Sequence, residues 1–322
     1  MRVGIVGTGY AARLRAEALQ QELRCELVAV VGRDRDRTAG FAAGFEAKAL
    51  SDCEALLRDF DVDLVFVSTI NCHHASIVRQ LLEAGKHVVV EYPIAFDLSE
   101  ARDLIELAKR QHRLLHVEHV ELLSGIHLAL KRELPALGSI LYANYVSVKA
   151  AHPAPQRWTY QPDLFGFPLV GALSRIHRLV DLLGAVERVS CQLRYRGPHL
   201  PDRFSSCVCS AQLTFCSGAV ADVVYAKGES LWRSRRTIEL HGESGSLQLG
   251  GEQNVAIDGN GVRKVDMGSR RGLFYRDTQA AIDHLLGGKP LYTSALESLR
   301  SLEVALAAEQ AAASQQTVTL PL

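Results

Sequence analysis

The first 118 residues alternate continuous apolar runs, at 2–6, 26–31, 63–68, 87–91 and 113–117, with amphipathic stretches at 10–23, 35–45, 73–84 and 98–111. A strand that is apolar on both sides must be covered on both sides, and right-handed crossover helices supply that cover. The pattern predicts an α/β domain over residues 1–120, a doubly wound parallel sheet of the Rossmann kind. A chain of 322 residues has room for a second core. After residue 120 the period changes. A helical stretch ends near Gly138, and the segments 140–149, 188–196, 206–215, 219–226, 236–241 and 245–249 read as strands separated by Gly, Ser and Asp turns. Phe215-Cys216-Ser217-Gly218 and Gly242-Glu243-Ser244-Gly245 look like hairpin connections, so residues 121–322 are expected to form an α+β domain around a large antiparallel sheet. Helical patterns at 276–287 and 294–313 are expected to pack back on the first domain.

Lysine plus arginine equals aspartate plus glutamate, at 36 each. Such a balance offers no net field for nucleic acid or an anionic membrane, and it favours a small-molecule partner. No apolar run approaches the roughly 18 residues of a membrane span, and the first strand starts too close to Met1 for a signal peptide, so a cytoplasmic location is expected. The cysteines, at 25, 53, 72, 191, 207, 209 and 216, are scattered and odd in number, which points to reduced core thiols. Only Cys207 and Cys209 lie close together, a pair that could bind a metal only with two more ligands nearby, and no metal site is expected. The basic run Trp232-Arg233-Ser234-Arg235-Arg236 reads as a solvated strand edge.

Gly7-Thr8-Gly9-Tyr10-Ala11-Ala12 follows the first apolar run and opens the first helical stretch. In that context a G-x-G-x-x-A turn binds a dinucleotide: Gly7 makes the tight turn, Gly9 admits a pyrophosphate to the backbone N–H groups, and Ala12 lets helix and strand pack closely. The second run ends at Arg33, where a carboxylate would bind the two ribose hydroxyls of NAD. A guanidinium there can hold a 2′-phosphate and stack on adenine, with Arg35 close by, so NADPH is the expected cofactor and NADH the weaker one. A small shift of the turn would present Asp34 instead.

Together with His87-Val88-Val89-Val90-Glu91-Tyr92-Pro93, this start resembles the Gfo/Idh/MocA oxidoreductases, whose second motif reads Glu-Lys-Pro. Ser68-Thr69-Ile70-Asn71-Cys72-His73-His74 is similar to the family's Thr-Pro-Asn-x-x-His segment. The resemblance implies cofactor-side positions for Thr69, Asn71, His74, Glu91 and Tyr92, with Asn71 also expected to cap the following helix. The family's helix motif G-G-x-x-x-D-x-G-x-H-x-x-D corresponds to Gly171 through Asp181, and its acid/base Asp and His fall on Ser174 and Arg178. With Tyr92 in place of lysine, all three acid/base positions have changed. Oxidising an alcohol requires a base for the hydroxyl proton, and His177, about 100° away around the helix, is the available substitute.

Longer strings resemble the biliverdin reductase branch of that family, of the cyanobacterial type: Leu115 through Leu123, Pro153 through Tyr160, Phe165 through Val170, Leu173 through Ile176 and Gly268 through Phe274. This resemblance implies NADPH-dependent reduction of biliverdin to bilirubin, with hydride delivered to the central methine carbon and a proton to a pyrrole nitrogen. It implies that Arg175 faces the reacting pyrroles, an electrostatic role suited to a guanidinium, and that Tyr92 sits near the nicotinamide. Glu118, His119 and Glu121 read either as a proton relay or as interdomain hydrogen bonding. Arg178 is the expected propionate ligand, with Asp181 as its local alternative, Trp158 and Tyr160 are the expected pocket floor, and Arg270 and Arg271 are further carboxylate contacts. Family members associate through the open face of the second-domain sheet, which leaves a homo-oligomer open here. Two other readings stand beside this one: a related NADP-dependent oxidoreductase of sugars or other carbonyl compounds using His177, and a non-catalytic nucleotide-binding regulator.

Overall fold

The apolar runs of the N-terminal third become strands, joined by one that the pattern does not announce. They are Arg2–Val6 (β1), Glu26–Val31 (β2), Lys48–Leu50 (β3), Leu64–Val67 (β4), His87–Glu91 (β5) and Leu115–Glu118 (β6). All pair in parallel in the order β3-β2-β1-β4-β5-β6, the arrangement of a doubly wound sheet. β3 was missed because its three residues, Lys48-Ala49-Leu50, form an exposed edge and carry no apolar run. The crossovers are Tyr10–Gln20 (α1), Arg35–Ala43 (α2), Cys53–Asp59 (α3), His74–Glu83 (α4) and Leu98–Arg110 (α5). Asp34, Asp52 and Asp97 cap α2, α3 and α5 with side-chain bonds to the third residue on.

The computed structural model describes residues 1–197, 202–251, 253–269 and 271–321. Its packing divides the chain into two units, Met1–Val120 with Gly272–Leu299, and Glu121–Arg271 with Arg300–Leu322. In the first unit, Val3, Ile5, Val30, Leu64 and Phe66 meet Ala12, Ala16 and Leu19 of α1 in one core cluster, and Ala281 and Ile282 of a later helix join it.

In the second unit Gly125–Glu133 (α6) precedes the long strand Ile140–Ala150 (β7). A single turn at Trp158–Tyr160 and the short helices Pro162–Phe165 (α7) and Pro168–Gly171 (α8) lead into Ser174–Leu183 (α9). Then follow Val186–Arg196 (β8), Ser206–Phe215 (β9), Val220–Gly228 (β10), Arg235–Gly242 (β11), Gly245–Gly250 (β12), Val255–Asp258 (β13) and Gly261–Lys264 (β14). The chain then returns to the first unit in the helix Leu273–Gly287 (α10), and Ala295–Ser314 (α11), most of which lies in the second unit, and the strand Val318–Thr319 (β15) complete the order. The sheet runs β14-β13-β12-β11-β7-β10-β9-β8-β15. Both expected hairpins are present, joining β9 to β10 and β11 to β12. The sheet is mixed, because β7 and β10 pair in parallel at its centre. β11 lies between β7 and β12, so the basic run leads into an interior strand and the expected solvated edge is corrected. Trp232, ahead of it, is 86% exposed. Among the described residues, no helix is long and apolar enough to cross a membrane.

Candidate active site

The glycine turn is tight at Gly7 and open at Gly9. Gly7 has φ +123°, and a Cβ there would come within 2.2 Å of the Ser68 carbonyl oxygen, so only glycine fits. At Gly9 a Cβ would meet nothing within 4 Å. Its smallness therefore serves no packing inside the chain and leaves open space at the start of α1, whose N-cap makes no side-chain bond. Ala12 is fully buried, as expected. Beside the turn lies a cavity of about 360 Å³ lined by Thr8, Gly9, Tyr10, Arg13, Arg37 and Gly40. Tyr10 is largely exposed and meets Phe274 edge to face.

Arg33 and Arg35 are exposed where β2 gives way to α2. Asp34, the alternative ribose ligand, instead caps α2: its Oδ1 accepts from the Arg37 N–H at 2.9 Å. Arg37 was not singled out from the sequence, yet its guanidinium donates to the Thr8 carbonyl at 2.9 Å and lines the cavity. The i+3 spacing from the cap residue was the available signal, since it turns Arg37 back over the helix start.

The second cofactor segment departs from expectation at Asn71. Residues Asn71–His73 form a 3₁₀ turn and α4 starts at His74, so Asn71 is buried in the turn and is not the helix cap. His74 is fully buried. Its ring nitrogens lie 2.8 Å from the Pro93 carbonyl and 3.3 Å from the Thr69 carbonyl, and burial pushes its pKa below the usual imidazole range. It thereby ties the Thr69 turn to the Glu91-Tyr92-Pro93 motif.

That motif rests on a buried charge network. Arg15 of α1, fully buried, binds Asp277 of α10 and reaches Thr278 at 3.1 Å and Glu91 at 3.5 Å. Its guanidinium also lies over the Phe66 and Phe274 rings. Asp277 accepts from the Tyr292 hydroxyl at 2.5 Å and lies 2.8 Å from His116 Nε2. Burial would raise the Asp277 carboxyl, but Arg15 and His116 outweigh it and hold the group well below the usual carboxylate range. The Tyr292 oxygen in turn accepts from the His119 N–H at 3.1 Å, and His119 Nε2 lies 2.9 Å from Ser298 Oγ. The His119 ring stacks on Tyr92, centroids 5.2 Å apart and planes within 4°. Glu118 is opposite Glu91 in the sheet register, and it accepts the Val120 N–H at 2.8 Å. Burial first, then the Glu91 charge, pushes Glu118 well above the usual carboxylate range. Tyr92, Glu118 and His119 are thus brought together within the first unit. Sequence reasoning missed Arg15, His116, Asp277 and Tyr292, which a surface-helix arginine and a distant aspartate give no local reason to pair.

In the second unit Arg175 starts α9 half-buried, with Nη1 3.1 Å from Ser174 Oγ, Nη2 3.4 Å from Ser147 Oγ and its guanidinium over the Tyr225 ring at 5.4 Å. Arg178 is 1% exposed and bonds the Glu121 carboxylate at 2.9 Å, the Glu121 carbonyl and Ser124 Oγ. Its charge is met inside the unit by Glu121. Asp181 is not its partner: His127 at 2.7 Å and Lys131 at 3.0 Å hold that carboxylate. Glu121 also accepts from Arg236 at 3.0 Å. Burial would raise Glu121, but Arg236 and Arg178 outweigh it and bring its pKa to about 2. His177 is 2% exposed, with Nδ1 2.7 Å from Ser301 Oγ, and belongs to the core. Tyr160 is 3% exposed and packs on Phe204 in a core cluster. Trp158 is half-buried against Phe165. Arg271 is exposed, and Arg270 lies outside the described residues.

Residues 1–119 match a family model described as oxidoreductase family, NAD-binding Rossmann fold, and residues 134–320 match one described as oxidoreductase family, C-terminal alpha/beta domain. Biliverdin reductase A of Mus musculus is 30% identical over 303 residues, covering 93% of this chain and 91% of that protein. The Homo sapiens biliverdin reductase A is 29% identical over 88% of this chain and 86% of its own. A crystal structure of biliverdin reductase from Synechocystis sp. PCC 6803, in complex with biliverdin and NADP+, superposes with a TM-score of 0.94 at 45% identity, covering 97% of this chain and 99% of that one. GenD2 from gentamicin A biosynthesis, in complex with NAD, superposes with a TM-score of 0.85 at 21% identity, a likeness of fold alone.

Proposed function

Because the chain belongs to the Gfo/Idh/MocA oxidoreductase family, we propose that it reduces biliverdin to bilirubin with NADPH. The observation that carries this reading is the 45% identity, spread over 97% of the chain, to a biliverdin reductase whose structure contains biliverdin and NADP+. The site supports it from the chemical side. Tyr92, Ser174 and Arg178 replace the family's acid/base set, and His177, the substitute a sugar dehydrogenase would need, is held in the core by Ser301. A pigment that accepts hydride needs no base to ionise an alcohol.

The open space at Gly9 and the uncapped start of α1 fit a pyrophosphate, and the commitment of Asp34 to the helix cap leaves arginines to meet a 2′-phosphate. Bound there, NADPH supplies the hydride. The chain's own groups provide the rest. Arg175 offers positive charge to the tetrapyrrole as electron density builds on it. In the first unit the Tyr92 and His119 rings stack, each following one member of the Glu91 and Glu118 register pair. The reaction adds hydride to the central methine carbon and a proton, relayed by water, to a pyrrole nitrogen.

The test is direct: protein, NADPH and biliverdin are mixed and bilirubin is followed by its absorbance. Bilirubin formation supports the proposal. Cofactor binding without any turnover would leave a regulator, and turnover of carbonyl compounds alone would leave a sugar-type oxidoreductase. Arg175→Ala is expected to lower kcat by about 10²–10³, the usual loss for one preorganised charged donor, with the KM for NADPH unchanged.

A further inference from the structure

Lys227 lies near the end of β10, on the face of the sheet that carries Tyr225, and only 4% of it is exposed. Its Nζ is 3.9 Å from the centre of the Phe165 ring, 4.8 Å from Tyr160, 5.3 Å from Phe204 and 5.6 Å from Tyr225. The ammonium also donates a hydrogen bond to the Thr159 carbonyl. Among the described residues no carboxylate forms an ion pair with it. The titratable and charged groups that face it are Cys207 of β9 and Lys149 of β7, its register partners on either side, Tyr225 on its own strand, Tyr160, and Arg175 of α9.

A buried ammonium without an anion is a poor device for stability, because a methionine fills similar space without the desolvation cost. What the cation touches suggests another use. Phe165 stacks on Tyr225 at 6.4 Å and 22°, the Arg175 guanidinium lies over that same Tyr225 ring, and Trp158 tilts against Phe165. The rings of three separate segments converge on one charge, which is attracted to each ring face.

We propose that Lys227 is a positioning residue for the substrate side of the second unit: its ammonium pins the 158–165 segment and the Phe165–Tyr225 stack, so that Arg175 and Trp158 keep the geometry that receives a planar, conjugated dicarboxylate. This rests on the reading of biliverdin as substrate. Burial, only partly offset by Cys207 and reinforced by Arg175 and Lys149, brings the Lys227 pKa down to about 8, so the pin is lost as pH rises through that value.

Steady-state bilirubin formation is measured from pH 6.5 to 9.5 for the wild type, Lys227→Met and Lys227→Arg, with thermal unfolding alongside. Bilirubin formation by the wild type is the control for the underlying reading; without it the substrate assignment fails, whatever Lys227 does. Given that activity, wild-type kcat/KM for biliverdin should fall above pH 8. Lys227→Met should show a value about tenfold lower at neutral pH, the loss of a desolvated cation–π contact, with the KM for NADPH and the unfolding temperature near wild type. Lys227→Arg, charged throughout, should recover most of the activity and lack the limb near pH 8. The proposal is overturned by wild-type kinetics in Lys227→Met, by a pH limb that persists in Lys227→Arg, or by a Lys227→Met protein that loses folding along with activity.

Discussion

Replacing Glu121 by glutamine keeps the shape of the side chain and removes its charge from between Arg178 and Arg236, which it meets at 2.9 and 3.0 Å. Arg178 is almost fully buried and cannot turn to water instead. In the folded chain burial acts to raise the Glu121 pKa, and the two arginines overcome it, taking the value from an ordinary 4.5 to about 2. A depressed folded pKa means that the ionised form favours folding. The contribution is complete above 4.5 and disappears as pH falls through about 2. At roughly 1.4 kcal/mol per unit, it comes to about 3 kcal/mol. Breaking one side of a buried ion pair costs about 3–5 kcal/mol by an independent route, so the two figures agree. Urea unfolding of wild type and Glu121→Gln at pH 7, 5 and 3 measures it. With a slope of about 2 kcal/mol per molar urea, the midpoint of the variant should fall by about 1.5 M at pH 7. Nearly all of that difference should remain at pH 5 and much of it vanish by pH 3. A difference below about 1 kcal/mol at pH 7, or one equal at all three pH values, would refute the assignment of Glu121 as the counter-ion of both arginines.

Asp277→Asn should strand the Arg15 charge in the core of the first unit and cost about 3–5 kcal/mol; calorimetry should show its transition lowered by about 10 °C, and a shift under about 3 °C would count against the buried pair. Arg33→Ala and Arg37→Ala should each raise the KM for NADPH more than that for NADH, since a charge-assisted contact to a 2′-phosphate contributes about 1.5–3 kcal/mol. If neither changes the ratio of the two constants, the phosphate is held elsewhere. Tyr92→Phe should keep the ring stack on His119 and most of the turnover, whereas loss by orders of magnitude with binding intact would assign the phenol a direct part in the chemistry.

The parallel sheet was legible because buried strands must be apolar on both faces, and a run such as Leu64-Val65-Phe66-Val67 declares itself without any partner. β3 and β14 did not, because edge strands are half solvated and their composition matches that of loops, and β13, which pairs on both sides, spans only four residues, too few to show a period. The glycine turn was legible for a similar reason: φ +123° at Gly7 admits one residue type, and its place after a strand reads directly. Charged side chains were the hard part. Arg15, Arg178 and Lys227 sit at positions that helix or strand periodicity alone makes equally suitable for solvent or core. Their burial is decided by partners 262, 57 and 68 residues away in sequence, Asp277, Glu121 and the Thr159 carbonyl. The same distance hides from a local reading that Glu121 is the counter-ion of Arg178.

The parallel contact between β7 and β10 also bears on how the second unit is made. β8, β9 and β10 form one local meander and β11 to β14 another, each able to pair as it emerges. β7, residues 140–150, is synthesised before both, yet its two neighbours in the sheet are β10 and β11. It must wait with both edges unpaired until residues 220–242 have left the ribosome, and then enter between the two meanders as their joining strand. Contacts of such long sequence separation form slowly, and an unpaired apolar strand held open meanwhile is a template for other chains. Slowing translation ahead of β10 should therefore lower the yield of soluble protein, while a pause after residue 242 should not.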